Sequence, residues 1–359
     1  MAQKYAKDQP AGFTNRIERV AIVGAGGHAG KPITTFLLKT GKHTVTALAR
    51  SGSEGAVPAG CKIATVDYDN EASLVAALTG QQFFVITVGV SAPPDTHHKL
   101  VTAAAKAGVP YVMTNCYGVL VNRPEDVDVA RQLVTGEQPL QYVRDVEEQG
   151  VSAWIAMSCS FWYEWSLALA YGIDAFFGIN IKERKAIFFD DGKRGMSVST
   201  WEQTGRAMAA LLSLKELPED ENDTSPTVSH WRNKPLKINS FVVSQRDMLD
   251  SLHRTLGTTD ADWTIEYQPA AERYQKAMDI MKTGFDRPAF ARAMYTRVFF
   301  PDLTAGGERF HYIDGSDNEK LGLAKDDLDA ATKRTVDMVN SGWVEALWKK
   351  MAGGSHPPA

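Results

Sequence analysis

Residues 20–32 read Val20-Ala-Ile-Val23-Gly24-Ala-Gly26-Gly27-His28-Ala29-Gly30-Lys-Pro32, and this stretch decides the fold. A short apolar run ends in four glycines within seven residues. A helical pattern follows at once, from Ile33 to Thr40, and Gly41 ends it. A strand, a glycine turn and a helix in this order are typical of a dinucleotide-binding site.

The glycine spacing Gly24-x-x-Gly27-x-x-Gly30 matches the physical needs of such a site. The turn must be tight, the backbone must approach a diphosphate, and the helix must pack closely on the strand, so each position favours a residue without a Cβ. The N–H groups and the dipole at the helix start attract phosphate. We therefore expect the diphosphate to contact Gly24, Gly26, Gly27, His28, Ala29 and Gly30. The alternative, a plain strand–helix turn, needs fewer glycines.

The end of the second strand, His43 to Ala49, indicates which dinucleotide binds. No Asp or Glu occurs from Thr44 to Ser53, and the strand runs into Arg50 and Ser51. A carboxylate here would bind the ribose 2′-hydroxyl of NAD, whereas an arginine accommodates the 2′-phosphate of NADP. The guanidinium is a planar fork of donors suited to phosphate. We predict NADP(H), contacted by Arg50 and Ser51; the alternative is a solvated arginine in a loop.

Composition excludes several classes of protein. The chain has 359 residues, of which 44% are hydrophobic and 23% charged, with a net charge of −4. These values are ordinary for a globular protein, and the chain has no excess of basic residues that would indicate nucleic-acid binding. The chain has no apolar run of about 18 residues, so no membrane span is predicted. Cys61, Cys116 and Cys159 lack metal-ligand spacing, so we expect free thiols, no metal and a cytoplasmic location.

Strands and helices alternate through the first half of the chain. The expected strands are 62–66, 83–88 and 109–114, and the expected helices are 71–79 and 94–107. This pattern predicts an α/β fold, a Rossmann-like doubly wound parallel sheet with a smaller C-terminal α+β substrate region. His97 and His98 have no carboxylate at ligand spacing, so we expect them on the surface.

Ligands of such sheets bind beyond the carboxyl ends of the strands. The residues expected there to contact the cofactor are Asp67, Val88, Gly89 and Asn115, with Val90 and Ser91 beside them. Cys116 and Tyr117 follow the fifth strand and are expected to contact the substrate, although a buried structural thiol is favoured for Cys116. Tyr117 is the leading proton donor; the alternative is that it only packs on the cofactor.

A second aromatic stretch follows the sixth strand, 152–156. Phe161, Trp162, Tyr163 and Trp165 surround Glu164 and would suit a flat ligand. Glu164 beside tryptophans could have a raised pKa and act as a general acid or base. The alternative is an aromatic wedge that joins two regions, with Glu164 at a helix start.

The expected organisation has four parts. Residues 1–15 form a flexible leader and 16–158 the NADP-binding Rossmann domain. Residues 159–352 form the substrate-binding region, in which a strand near 237–243 is a candidate to return to the main sheet. Residues 353–359 form a disordered tail.

Several motifs resemble one known group. They are the glycine spacing of 24–30, Val66-Asp-Tyr-Asp69, and the segments 73–80, 98–111 and 321–328. Together they resemble the NmrA-like and isoflavone-reductase-like proteins, which are atypical short-chain dehydrogenases. The resemblance spans most of the chain and is sharpest from Val20 to Val119. It implies an NADP-binding sheet and a smaller C-terminal substrate region.

The chain departs from that group at two points. Reductases of the group carry Ser-Glu-Phe-Gly after the fifth strand, where this chain has Asn115-Cys116-Tyr117-Gly118. They also place a catalytic lysine at the start of the next helix, and this chain has no lysine between Lys106 and Lys182. The Tyr-x-x-x-Lys pair of ordinary short-chain dehydrogenases is absent as well, since Val121 and Val146 follow Tyr117 and Tyr142 at that spacing.

Three functions are compatible with these features. The first is an NADPH-dependent reductase of a C=C or C=N bond in a small aromatic or heterocyclic secondary metabolite. The second is a non-redox acid–base enzyme, such as a cyclase, that retains the nucleotide. The third, motivated by the missing lysine, is an NADP(H)-sensing regulator with a protein partner. The first two require a small-molecule substrate, and none involves nucleic acid or a membrane.

Overall fold

The computed structural model describes residues 4–89, 92–118, 138–169, 176–300 and 315–351. These residues form thirteen strands. They are β1 (Arg19–Val23), β2 (Thr44–Arg50), β3 (Lys62–Val66), β4 (Phe83–Ile86), β5 (Tyr111–Met113), β6 (Ala153–Ser158), β7 (Phe161–Trp162), β8 (Ile179–Asn180), β9 (Lys185–Phe189), β10 (Met196–Ser199), β11 (Lys234–Lys237), β12 (Phe241–Val243) and β13 (Thr264–Gln268).

The described α-helices lie between and after these strands. They are α1 (Gly30–Lys39), α2 (Glu71–Leu78), α3 (Thr96–Lys106), α4 (Gln138–Gln149), α5 (Tyr163–Ala168), α6 (Trp201–Leu212), α7 (Gln245–Leu256), α8 (Ala270–Met281), α9 (Arg287–Arg297), α10 (Leu328–Asn340) and α11 (Trp343–Met351). None of these helices combines the length and the apolar character that crossing a membrane requires.

The main sheet has seven parallel strands in the order β11-β6-β5-β4-β1-β2-β3. Helices cover both faces, because side chains alternate along each strand: Ile22 packs toward α1 and α6, while Ala21 and Val23 pack toward α2, α3 and α4. This confirms the predicted doubly wound fold. The strand order reverses between β1 and β4, and in such sheets that reversal opens a crevice for ligand at the carboxyl edge.

Helix α6 completes the layer that α1 begins. The two helices approach so closely at Gly205 that a Cβ there would lie 2.7 Å from the carbonyl oxygen of Pro32 and 2.6 Å from the ring of Phe36. Because one of these atoms is backbone, the contact cannot be relieved by a rotamer change alone.

We expect Gly205→Ala to lower the free energy of unfolding by about 1–3 kcal/mol through overpacking. Alanine is the better helix former by about 1 kcal/mol, so a net loss would show that the clash dominates. Urea denaturation followed by circular dichroism measures the change. Gly55→Ala is the matched control, since a Cβ at Gly55 has no atom within 4 Å. Equal stability of the two variants would contradict the proposed close packing.

The chain after residue 158 divides between the main sheet and a second region. The strand expected near 237–243 is two strands: β11 joins the main sheet beside β6, and β12 pairs antiparallel with β10 in a separate sheet. The main sheet therefore draws on residues beyond the expected boundary at 158. Two three-stranded sheets, β12-β10-β7 and β13-β9-β8, pack with helices α5, α7 and α10 around a core of their own.

The described part of the expected leader is held against the body of the protein. The side-chain amide of Asn15 donates to the carbonyl of Leu217 at 2.9 Å and accepts from its N–H at 2.8 Å. The N–H of Ala6 donates to the carbonyl of Pro218 at 2.9 Å. These bonds, which link positions about 200 apart in sequence, correct the expectation of a flexible leader. The expected tail, 353–359, lies outside the described residues.

Candidate functional site

The glycine turn after β1 is packed so closely that most of its glycines cannot carry a side chain. Gly24 has φ +78°, and a Cβ there would lie 2.2 Å from the carbonyl oxygen of Thr87. A Cβ at Gly30 would lie 2.0 Å from the oxygen of Gly24, and one at Gly26 would lie 2.3 Å from the oxygen of Ala56. Gly30 lets the start of α1 sit directly on the turn after β1, while Gly24 and Gly26 let the segments after β4 and β2 approach it.

Gly27, the middle glycine of the spacing, differs because it faces solvent. Its nearest contact would be 3.1 Å from an added Cβ, and its N–H donates to the oxygen of Gly24 at 2.9 Å. A side chain at Gly27 would therefore project into the space that a bound phosphate would take.

The start of α1 is suited to bind an anion. The residue at its N-cap position, Ala29, has no side chain that could cap the helix, and the first turn carries no acidic residue. Within this turn Lys31 donates to the carbonyl of Gly27 at 2.8 Å and Pro32 has no N–H, so the N–H groups left for an anion include those of Ala29 and Gly30. The helix dipole there favours negative charge. The glycine turn and the uncapped helix start together fit a dinucleotide diphosphate.

Arg50 stands at the carboxyl end of β2, beside Val66 of β3. Its guanidinium carbon lies 5.8 Å from the centre of the Tyr68 ring, and it forms no ion pair with any residue the structure describes. Ser51 is exposed beside it, as is Asp67, whose carboxylate accepts the N–H of Asp69 at 2.9 Å and so shapes its own turn. The arrangement leaves Arg50 able to hold a phosphate.

Three tryptophans surround the side chain of His28. The ring centre of His28 lies 5.3 Å from that of Trp165 (α5), 5.6 Å from that of Trp201 (α6) and 5.5 Å from that of Trp343 (α11). We call His28 and these three residues the tryptophan box. Trp165 was expected near a ligand; Trp201 and Trp343 were not, because nothing local in sequence ties them to the glycine turn.

Side chains of the aromatic stretch after β6 point in opposite directions, because the stretch begins with the short strand β7. Phe161 packs into the second core, 4.2 Å from Tyr295 between ring centres, and Tyr163 is fully buried with its hydroxyl 2.7 Å from that of Thr332. Tyr163 therefore has no exposed surface to offer a substrate, against the expectation, whereas Phe161 is only partly buried and its expected substrate contact stays a prediction. Trp162 packs instead against the core of the main sheet.

Glu164 is buried and ties three helices together. Its Oε1 accepts from Arg334 of α10 at 3.1 Å, and its Oε2 accepts from the N–H of Trp201 at the start of α6 at 3.3 Å. Burial raises the pKa of Glu164, while the Arg334 guanidinium works to lower it. Both carboxylate oxygens of Glu164 accept hydrogen bonds within the protein. This geometry fits the alternative in which Glu164 joins two regions at a helix start, rather than acid–base catalysis.

Tyr117 and Cys116 follow β5 as expected, but both are turned inward. The hydroxyl of Tyr117 is buried without a partner among the described residues, and burial raises its pKa well above its usual value. The Cys116 thiol donates to the carbonyl of Pro139 at 3.3 Å, and burial raises its pKa to about 12. This burial suits the structural thiol that was favoured for Cys116, and it disfavours the proton-donor role of Tyr117, which stays a prediction.

A second group of polar residues lies at the same edge of the sheet. Asn115 donates to the carbonyl of Val88 at 3.0 Å and so joins the ends of β4 and β5. His97 is buried, which corrects the expectation of a surface residue. Its Nδ1 lies 2.9 Å from Oδ2 of Asp145, and its ring stacks on Tyr142 with centres 4.1 Å apart.

Sequence reasoning missed Tyr142 and Asp145 because they stand 45 and more residues from His97. A signal was present: Tyr142 and Asp145 are three residues apart, which places them on one face of a helix. Gly89 is exposed at the end of β4, whereas Val90 and Ser91 lie outside the described residues. No three side chains of the metal-ligating types come together in the described ranges.

A cavity of about 570 Å³ lies at the opposite edge, lined by residues such as Ile17, His43 and Leu214. Ile17 and His43 precede β1 and β2, so this cavity is at the amino ends of the strands. Parallel sheets bind ligands at the carboxyl ends. We therefore assign the site to the edge formed by the glycine turn, Arg50 and Asn115.

Comparison with protein families supports this assignment. Residues 24–149 match a family model described as NAD(P)H-binding, which begins at the glycine turn and ends with α4. A curated relative, Oxidoreductase aprR of Aspergillus flavus, is 27% identical over 268 residues, or 74% of this chain and 82% of that protein. The chain is thus an NAD(P)H-binding protein related to an oxidoreductase.

Solved structures share the whole fold. An isoflavone reductase aligns with a TM-score of 0.63 at 16% identity, covering 89% of this chain and 99% of its own. AtPrR2 with NADP⁺ and (+)pinoresinol aligns with a TM-score of 0.55 at 15% identity, covering 90% and 96%. At such identities these similarities speak for the fold alone, and they confirm the predicted Rossmann-like fold with its smaller C-terminal region.

Proposed function

We propose that this chain, an NAD(P)H-binding protein with the fold of the isoflavone reductases, is an NADPH-dependent reductase. Its substrate would be a small aromatic or heterocyclic metabolite, reduced at a C=C or C=N bond. One observation carries the proposal: the glycine turn, the uncapped start of α1 and Arg50, which has no ion pair within the described ranges, lie together at the carboxyl edge of the sheet. The relationship to an oxidoreductase and the fold of reductases add support.

Each part of the cofactor has residues suited to hold it. The glycine turn and the start of α1 would bind the diphosphate, and Arg50 with Ser51 would bind the 2′-phosphate. Asn115 and the end of β4 would lie beside the nicotinamide half. When bound, NADPH supplies a hydride, that is, one proton with two electrons. The protein must then orient the acceptor and deliver one further proton.

The aromatic residues near this edge suit a flat substrate. Trp165, Trp201 and Trp343 come from three separate helices and meet over the glycine turn. Indole rings offer large apolar surfaces, on which aromatic rings stack. This motivates an aromatic or heterocyclic substrate class.

The direct test of the function is NADPH oxidation, followed at 340 nm with aromatic enals and cyclic imines. Turnover with either class supports a reductase. A protein that binds NADPH and consumes none with any acceptor is instead the regulator or the non-redox enzyme. Glu164 offers the non-redox alternative little support, because both carboxylate oxygens are engaged within the protein.

The preference for NADPH over NADH is expected to depend on Arg50. Arg50→Ala should weaken NADPH binding by 10- to 100-fold, since a charge-assisted bond to phosphate contributes about 1.5–3 kcal/mol. NADH binding should change less than about twofold, because NADH lacks the 2′-phosphate. Titration calorimetry with both nucleotides measures this. Lys62→Ala, an exposed cation at the other end of the neighbouring strand, is the control. An equal loss for both nucleotides would remove the role given to Arg50.

A further inference from the structure

The tryptophan box joins the glycine turn to α11, the last helix that the structure describes. We propose that this box holds the diphosphate-binding turn in place through His28, and that the packing of Trp343 on His28 makes the docking of α11 strengthen dinucleotide binding. The inference goes beyond the proposed function, because it needs the NAD(P)H site alone and not the reduction of any substrate. His28 and Trp343 are in this sense positioning residues, which act on the backbone that meets the phosphates.

The middle of the glycine turn has little to fix its backbone apart from His28. Gly26 and Gly30 are closely packed, whereas Gly27 and His28 between them are exposed. Of residues 24–30, only His28 has a side chain larger than a methyl group. Glycine loses more conformational freedom than any other residue when its backbone is ordered. The His28 ring is therefore the one large side chain by which other parts of the protein can order this turn.

All four rings of the tryptophan box contact one another. His28 lies face to face with Trp201, with planes inclined by 14°, and edge-on to Trp343, with planes inclined by 77°. The three indole rings form edge-to-face pairs with centres 5.9–6.3 Å apart and planes inclined by 66–79°. Aromatic pairs in such arrangements attract one another beyond the effect of buried area alone. Three rings thus hold His28, while the exposed Gly27 beside it stays open to a ligand.

Two of the tryptophans are fixed by a buried polar group. Trp165 directly follows Glu164 on α5, and Oε2 of Glu164 accepts from the N–H of Trp201 at 3.3 Å. The same carboxylate accepts from Arg334 at 3.1 Å. Removing one partner of a buried ion pair is strongly destabilising, so this arrangement persists as long as the protein is folded. Trp165 and Trp201 therefore form a permanent part of the box.

Trp343 belongs to a helix that is held less firmly. α11 follows α10 after Gly342, which has φ +75°, and it packs on the second core through side chains that are only partly buried. Its ion pair joins Glu345 to Lys182, whose side chains are 49% and 54% exposed. Exposed pairs of this kind contribute little to stability. Segments with few buried contacts open at a lower free-energy cost than the rest of a protein. The docking of α11 is therefore the part of the box that can respond to a ligand.

Docking of α11 and binding of the dinucleotide are then linked. A ligand binds more tightly to N–H groups that are already ordered, because less conformational freedom is lost on binding. Trp343 orders those groups through the His28 ring, so the docked helix favours the bound dinucleotide. By thermodynamic reciprocity, the bound dinucleotide favours the docked helix by the same factor.

A double-mutant cycle on His28 and Trp343 tests this link, with NADPH binding measured by titration calorimetry. We expect His28→Ala and Trp343→Ala each to weaken NADPH binding about 10-fold, a factor typical of coupled sites. The double variant should bind no more than about twofold more weakly than either single variant, since Trp343 acts through His28. Trp343→Phe keeps an aromatic ring and should recover most of the affinity. Phe285→Ala, which removes a ring that is 74% exposed between α8 and α9, should bind normally.

Amide hydrogen exchange gives a readout that a purely structural role of Trp343 would not change. NADPH should slow exchange of the α11 amides in wild type by about fivefold or more, and saturating NADPH should leave it unchanged in His28→Ala. Because His28 is exposed, this variant is expected to fold. The comparison does not require Trp343→Ala, so it decides the matter even where that variant fails to fold.

Three results would overturn the inference. They are losses that multiply in the double variant, an unchanged NADPH affinity in folded Trp343→Ala, and an α11 exchange rate that NADPH slows equally in wild type and His28→Ala. A wild type that binds no NADPH would remove the dinucleotide site and this inference together. A wild type that shows the coupling but reduces no acceptor overturns the reductase and supports the role of the tryptophan box.

Discussion

Replacing Gly27 by valine is expected to weaken NADPH binding about 1,000-fold without unfolding the protein. Gly27 is the exposed glycine of the turn, and an added Cβ would lie 3.1 Å from the carbonyl oxygen of Gly24. This tight contact requires a small backbone shift, whereas the contacts at Gly24, Gly26 and Gly30 would be 2.0–2.3 Å. The valine would occupy the space of the diphosphate. Two lost charge-assisted bonds at about 2 kcal/mol each correspond to a factor near 1,000.

Calorimetry with NADPH, together with a thermal melt, separates binding from folding in this variant. Ala76→Val, on the exposed surface of α2, introduces the same side chain away from the site and should bind NADPH normally. The contrast with Gly30 is informative, because a Cβ there would lie 2.0 Å from the oxygen of Gly24 and disrupt the fold itself. An unchanged NADPH affinity in Gly27→Val would refute the assignment of the diphosphate to this turn.

Removing the partner of a buried carboxylate is expected to have the largest effect on stability. Arg334→Met leaves Glu164 buried without its cation, and breaking such a pair costs about 3–5 kcal/mol when both groups are buried. Arg334 is 39% exposed and the bond from Trp201 remains, so we expect a loss of about 2–3 kcal/mol at pH 7–8. Urea denaturation measures this loss.

The pH dependence of that loss follows from the raised pKa of Glu164. A carboxyl whose folded pKa exceeds its unfolded value destabilises the fold as pH rises through that interval, and the penalty vanishes at lower pH, where Glu164 is protonated in both states. The deficit of Arg334→Met should therefore shrink toward pH 4. The double variant Arg334→Met with Glu164→Gln should recover most of the stability. Lys333→Met, an exposed neighbour, is the control. A deficit independent of pH would show that lost packing, not charge, is responsible.

The sequence predicted best those elements whose signal is contained in a few adjacent residues. The bounds of β3 were predicted to the residue, and those of α2 to within one residue. The glycine turn could be identified from sequence because its spacing lies within seven adjacent residues, although Gly24 and Gly26 are required by close contacts with the distant Thr87 and Ala56. The end of β2 could be predicted as part of the site because a parallel sheet brings the carboxyl ends of all its strands to one edge.

Elements that depend on distant partners were missed. Strand β13 is largely exposed and so shows little apolar alternation, yet it pairs with β9 about 80 residues earlier. Strand β10 is buried along its length and is defined by pairing with β7 on one side and β12 on the other. Helix α9, which has no clear apolar stripe, begins at the Asp286 cap with a proline in its first turn.

The site shows the same division. Sequence alone determined the sheet, the cofactor class and the glycine turn, because these follow from residues adjacent in the chain and from the fixed direction of parallel strands. Tertiary structure alone decided that Glu164 meets Arg334, that His97 meets Asp145 and Tyr142, and that Trp343 reaches His28. A buried polar group or aromatic ring takes its role from whatever packs against it, and that neighbour is set by the whole fold rather than by the local sequence.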